Sequence, residues 1–283
     1  MRVRQLLGGQ IYTLVRSRQF YLGFAACVLF VALMLYGFYD YSARKSQEQD
    51  VFKYTYRNNS YFNGNVFTLY SLYFAFYLLL PIFVAFQGGY PVAGELRSGT
   101  LRVVLVRPVD RTAVLLAKYG GVIFYIVLLL SFFVLLNLAV GRFIVGWGDL
   151  YLYPGLLNLV EEPATIATGE ALWRYFLVVL LGGWAMLALA SFAFMLSSVW
   201  DNPHMAIVGA ITVYFIFHIV GRVDFFSGLR PYFFTHDMEF WKEVFKPVIP
   251  WNTVWHYFFK CGAYTSAFLL AAVIVFRRRD ITA

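Results

Sequence analysis

Few residues in this chain can do chemistry, and those set among apolar neighbours are solitary. His218, Asn137, Ser191, Ser131 and Thr212 each stand within long aliphatic and aromatic runs. A polar or ionisable side chain in hydrocarbon is costly, and several together mark a proton relay or a substrate path. Asn137, Ser191 and His218 are the candidates for such an intramembrane polar pathway. The plainer alternatives are packing hydrogen bonds for Asn137 and an interior hydrogen bond for His218. His204 and Met205 with His218 suggest copper, but thioether sites need more partners than these supply, so no metal site is expected. Cys27 and Cys261 fall in different apolar runs near opposite ends of the bilayer, which suits apolar filler better than a disulfide. No Gly-x-Ser-x-Gly, His-Glu-x-x-His or phosphate-cradling glycine loop occurs. No catalytic residue and no cofactor is expected in this chain.

The elements that would position these groups follow from composition. Of 283 residues, 61% are hydrophobic and only 13% charged, with mean hydropathy +0.66. Soluble domains are about one quarter charged, so a polytopic membrane protein is the class that fits. The net charge of +8 then points to anionic headgroups and the cytoplasm, not to nucleic acid. The aromatic load suits lipid-facing surface and interfacial belts, although the same rings could line a lipid or peptide path.

Hydropathy predicts six spans near residues 20–39, 66–87, 113–141, 171–199, 203–220 and 253–276. Each approaches or exceeds the roughly 20 residues a bilayer requires. The fourth and fifth form a hairpin through "WDNPH", with Pro203 in the first turn of the fifth. Residues 1–18 read as an interfacial amphipathic helix, with Leu6, Leu7, Ile11, Leu14 and Val15 near helical spacing and arginines elsewhere. Gly8-Gly9 weakens that helix, and a frayed basic tail is the alternative. The first span is expected to be retained, because "YDYSARK" is a poor cleavage site. Lys and Arg divide almost evenly between the two sides. The dense "FRRRD" and the short basic loop after the second span place both termini in the cytoplasm of a plasma (inner) membrane. Lys118, Arg174 and Lys260 stand near span ends and are expected to snorkel. On the far side, Trp147, Tyr151 and Tyr153 suit an aromatic belt. Asp237 is expected to cap a short amphipathic helix bearing Met238, Trp241, Val244 and Phe245, stopped by Pro247. The fold class is all-α, a single transmembrane domain.

One stretch departs from this apolar background: "GELRSGTLRVVLVRPVDR", Gly94 to Arg111. Pro91 fits a helix start, and Glu95 complements the dipole of the first turns. Gly99 interrupts. Thr100 can cap a second short helix with Leu101, Val104 and Leu105 opposite Arg102, and Pro108 stops it. Asp110 then caps the third span, with Arg111 at its start. The product is a short, stiffly bracketed element across residues 91–111. A basic loop that only enforces topology is the competing reading.

"GELRSGTLRVVLVRPVDRTAVLLAKY" resembles the signature of type-2 ATP-binding-cassette export permeases: Glu95, Gly99, Thr100, Leu101, Pro108, Arg111 and Lys118 recur there in this order. The amphipathic start, six spans and the "VFRRRDIT" end are similar to that family's layout. Arg107 departs from it, since a small or polar residue is commoner there. The resemblance implies a permease subunit whose segment between the second and third spans is a coupling helix in the cleft of a separate cytoplasmic ATPase. ATP and Mg2+ would bind that partner. A second permease subunit, identical or different, would complete the path, with membrane lipids around both. Glu95, Arg97 and Arg102 would make polar contacts to the ATPase, Leu101, Val104 and Leu105 would anchor the helix, and Gly99 and Pro108 would set its ends. The alternative is a non-transporting scaffold or mechanical subunit driven by the same kind of ATPase. A lipid-modifying enzyme fits less well, because the spans lack acids and paired catalytic groups.

Overall fold

The computed structural model describes residues 3–47, 63–101, 110–152, 157, 159–160 and 162–279. The chain is mostly helical. Six helices are long and apolar enough to cross a membrane: Arg18–Asp40, Gly64–Gly89, Arg111–Val145, Thr168–Val199, Pro203–Val220 and Trp251–Arg278. They are the first to sixth spans of a multi-pass membrane protein. Each lies within a few residues of its expected place, because a run of apolar side chains has no favourable state in water. The face that carries the N-terminal helix, the segment after the second span and the end of the sixth is called here the terminal face. The opposite one is the far face.

The fourth span is the hub. Within its most apolar window 61% of residues are buried, against 17% for the sixth span and 22% for the first. Its small residues Gly182, Ala185, Ala188, Ala190 and Ala193 allow close approach. Phe76 of the second span lies against Gly182. Trp184 stacks on Phe258 of the sixth, with centroids 4.7 Å apart, and donates its indole N–H to the Phe258 carbonyl at 2.9 Å.

The second span is not uniformly α-helical. Ala75–Leu79 forms a π turn just before Pro81. Proline brings no N–H, so carbonyls one turn earlier lose their donor. The Tyr214 hydroxyl of the fifth span fills the gap, donating to the Phe76 and Tyr77 carbonyls at 3.3 and 3.5 Å.

At the far face the second and third spans meet at Gly64 and Gly141. A Cβ on either glycine would overlap the other's backbone, so this crossing requires both to be glycine. Asn63 caps the second span, its Oδ1 accepting from Asn65 N and Val66 N at 3.0 and 3.1 Å. Asn63 and Asn65 also donate side-chain N–H groups to the Asp149 and Gly148 carbonyls at 2.6 and 2.5 Å. The all-α expectation needs one amendment. Leu150–Leu152 and Ala164–Ile166 pair as two antiparallel strands. Asp149 closes this loop by accepting from Thr168 N and its hydroxyl at 2.9 and 2.8 Å. Tyr153, expected in the aromatic belt, lies outside the described residues.

The N-terminal helix runs Val3–Arg16, unbroken by Gly8 and Gly9. Leu6, Leu7, Ile11, Leu14 and Val15 are all half-buried, whereas Tyr12, Thr13 and Arg16 are exposed. Leu6, Leu14 and Val15 pack on the apolar core. The amphipathic stripe therefore faces the bundle, and Leu7 reaches Gly120 of the third span.

Candidate functional site at the terminal face

The segment after the second span is held by the third, fourth and fifth spans. Its helix, Ala93–Arg97, is too short to stand alone and has no side-chain cap of its own. The Ser197 hydroxyl of the fourth span supplies the missing acceptor. It takes the buried Val92 and Ala93 N–H groups at 3.2 and 2.9 Å, the function an N-cap side chain performs from within. Glu95, in the first turn, pairs with Lys118 of the third span. Arg97 is exposed and donates to Asn202 Oδ1 at 3.3 Å. Asn202 also caps the fifth span by accepting from His204 N at 3.1 Å.

Gly99 turns the chain with φ +73°, a conformation that favours glycine. Thr100 and Leu101 are already helical. Thr100 is therefore inside the next helix rather than its cap. Its hydroxyl turns back toward Ser98 Oγ, 2.9 Å away, and the Glu95 carbonyl. Leu101 is fully buried in the chain's own apolar core. Pro91 precedes the short helix by two residues instead of opening it. Arg102, Val104, Leu105 and Pro108 lie outside the described residues, as does Arg107.

The structure resumes as expected at Asp110, which caps the third span by accepting from Thr112 N and Ala113 N, both at 3.3 Å. Arg111 then donates to the Arg279 carbonyl at 3.1 Å, and Arg277 to the Thr112 hydroxyl at 2.9 Å. Arg279 bridges onward, donating to the Ser198 carbonyl at 2.8 Å and pairing with Asp201. The basic run after the sixth span thus clasps the third span to the fourth–fifth hairpin.

Lys118 does not snorkel. Its side chain is wholly buried, and Glu95 is the one partner found for its ammonium among the described residues. Arg174 does not snorkel either. Only 2% exposed, it donates to the Val244, Lys246 and Pro247 carbonyls at 2.9, 2.6 and 3.2 Å and pairs with Glu170. Those carbonyls end the far-face 3-10 helix Met238–Phe245, so Arg174 caps it from the fourth span. Asp237, the expected N-cap, makes no side-chain cap bond there. It is buried and meets Lys260 at 3.3 Å.

Asn137, Ser191 and His218 do not form one path. Asn137 is buried and donates to the Phe133 carbonyl at 2.8 Å. Ser191 meets the Tyr119 hydroxyl at 2.6 Å and donates to the Leu187 carbonyl at 2.6 Å. Tyr119 and Asn137 stand about 27 Å apart along the third span. Asn137 and Ser191 each bond within their own turn, Ser191 also meets Tyr119, and the buried Asn137 Oδ1 has no partner among the described residues, so no shared network joins them.

His218 belongs to a far-face cluster that sequence reasoning missed. Its Nε2 accepts from Arg222 Nε at 3.2 Å, and its Nδ1 is 3.6 Å from Glu239. Glu239 also pairs with Lys242 and lies 3.7 Å from Arg222. Lys242 Nζ stands 4.7 Å from the Tyr77 ring centre and 5.3 Å from that of Tyr73. Burial alone would raise the Glu239 carboxyl, but Lys242, Tyr77 and His218 together outweigh it and hold the carboxyl below its usual range. Burial pulls Arg222 down, and Glu239 with Tyr73 and Tyr77 more than reverses this. Nothing local in the sequence ties residues 73, 77, 218, 222 and 239 together. Ser197 and Arg279 are equally silent in one dimension, whereas Asn202 before Pro203 is a readable cap.

No curated protein matches the chain. A family described as "Protein of unknown function (DUF2705)" matches residues 16–282, from the end of the N-terminal helix past the sixth span. The chain belongs to the DUF2705 family.

Proposed function

We propose that this chain is the membrane-spanning subunit of an ATP-driven exporter, with both termini in the cytoplasm and the terminal face docked on a separate ATPase. ATP and Mg2+ belong to that partner, and a second permease subunit completes the path. The single observation that carries the reading is the anchoring of the segment after the second span. Lys118, Ser197 and Asn202 tie it to the third, fourth and fifth spans, and the Arg277–Arg279 clasp ties those spans to the sixth. A push on so short and so widely tied an element moves four spans together. The family resemblance of "GELRSGTLRVVLVRPVDRTAVLLAKY" supplies the expected source of the push.

In this reading Glu95, Arg97, Gly99, Thr100, Arg102, Val104, Leu105, Pro108 and Arg111 form or frame the docking segment. Leu101 is committed to the chain's own core, so it shapes the segment rather than touching the partner. The test is purification from native membranes with associated subunits, followed by ATPase assays. An ATPase that co-purifies with the wild-type chain and is lost or uncoupled in Arg97→Glu and Arg102→Glu supports the reading. A chain that purifies with no nucleotide-hydrolysing partner, or whose variants hydrolyse and transport normally, refutes it.

A further inference from the structure

Two adjacent glycines interrupt the third span, and packing explains only one of them. A Cβ at Gly120 would strike Leu7 of the N-terminal helix, so Gly120 lets that helix lie close. A Cβ at Gly121 would meet nothing within 4 Å. Glycine within a helix is unfavourable relative to alanine, and no neighbour here requires it. What Gly121 borders is space: a cavity of about 90 Å3 between the N-terminal helix and the ends of the second and third spans.

Polar side chains from three elements line part of this cavity, among a larger share of apolar surface. Gln10, Thr13 and Ser17 come from the N-terminal helix and its end, Gln87 from the second span, and Lys118 from the third. All lie near span ends on the terminal face, where lipid headgroups stand. Lys118 places a wholly buried ammonium on the wall, with Glu95 as its only partner among the described residues. A buried cation with one partner retains donors that nothing fills. Glu95 is the one carboxylate on the wall, and its side chain is 25% exposed. It can turn toward water when another anion takes the ammonium.

We propose that this cavity is a binding site for the phosphodiester headgroup of a membrane phospholipid. The phosphate meets Lys118, and the amides and hydroxyls of Gln10, Thr13, Ser17 and Gln87 receive an uncharged polyol such as glycerol. The acyl chains leave beside the N-terminal helix into the adjacent leaflet. Bound there, the lipid joins the N-terminal helix to Lys118 of the third span and frees Glu95, and with it the segment after the second span, from that ammonium. This assignment is independent of whether the chain is a permease.

Gly121→Leu tests it without touching a charge, since a Cβ there meets nothing within 4 Å and the longer side chain takes space from the cavity. The full chain in detergent is titrated with dioleoyl-phosphatidylglycerol, and occupancy is read by native mass spectrometry. Dioleoylglycerol and glycerol 1-phosphate are parallel probes. Wild type is expected to hold one phosphatidylglycerol at least ten-fold more tightly than either Gly121→Leu or Lys118→Met. Gly121→Leu should melt, without lipid, no lower than wild type. If Lys118→Met does not fold, Gly121→Leu alone decides. Equal occupancy in wild type and Gly121→Leu overturns the site. Dioleoylglycerol binding as tightly as phosphatidylglycerol overturns the role of the phosphate. Glycerol 1-phosphate binding as tightly overturns the assignment to a lipid.

Discussion

The fourth span finishes two helices that are not its own, one at each face, and it does so with opposite chemistry. At the terminal face Ser197 gives one oxygen to the orphan N–H groups of Val92 and Ala93. At the far face Arg174 gives its guanidinium to the orphan carbonyls of Val244, Lys246 and Pro247. The two residues stand about 35 Å apart along the helix, close to the thickness of a bilayer. Which end of a short helix meets the hub decides which residue is needed there: an acceptor for a start, a fan of donors for a finish. The far-face cap is charged and buried, the terminal-face cap neutral and small. The segment that the proposed partner would drive is therefore hung on the lighter of the two attachments.

The largest effect is expected from Arg174→Met. It strands three carbonyls, at about 1–3 kcal/mol for each buried acceptor left unpaired, while the half-exposed Glu170 is left to water. Thermal melts in detergent check the loss, and rapid proteolysis across 238–250 checks its place. Ser197→Ala comes next. Two buried N–H groups lose a shared acceptor, about 1–3 kcal/mol. Hydrogen exchange should rise at Val92 and Ala93 and stay unchanged at the far face. The double variant should show additive losses, because sites this far apart share no partner; a coupling well above the error of the measurement would mean that the two faces form one cooperative unit.

Acid discriminates between the faces in another way. Glu239 has a folded carboxyl below its usual range, so its contribution is complete above the unfolded value and is lost as pH falls through the folded one. Melting temperature should therefore decline as pH is lowered from about 6 through the carboxylate range, and Glu239→Gln should flatten part of that decline. The smallest effect belongs to Asp201→Ala. Asp201 is exposed, so its pair with Arg279 contributes about 0–1 kcal/mol. That difference should shrink in about 0.5 M salt, whereas the Arg174→Met loss should not.

These contrasts also mark what the sequence could and could not say. The six spans were legible because hydropathy is summed over many residues and no single side chain decides it. Asp110 was legible because a cap acts on N–H groups two and three residues away. Lys118 and Arg174 were misread for a reason common to both: distance from a span end tells how deep a cation lies, not which way it faces. Both turn inward to partners on other segments, Glu95 for one and the 244–247 carbonyls for the other. The polar pathway of Asn137, Ser191 and His218 failed differently. Polarity within a span does not bring side chains together when they lie at different depths and each finds a partner of its own.

The π turn at Ala75–Leu79 gives the second span one residue of slack in its length. It accommodates one residue more than an α-helix would at that point. Deleting a single residue there would close the wide turn into regular α-helix and leave both halves on their present faces. Gly64 would stay on Gly141, and Asn63 and Asn65 on the Asp149 and Gly148 carbonyls. What such a deletion removes is the pair of carbonyls that Tyr214 fills, so its cost falls on the contact with the fifth span and not on either end of the second.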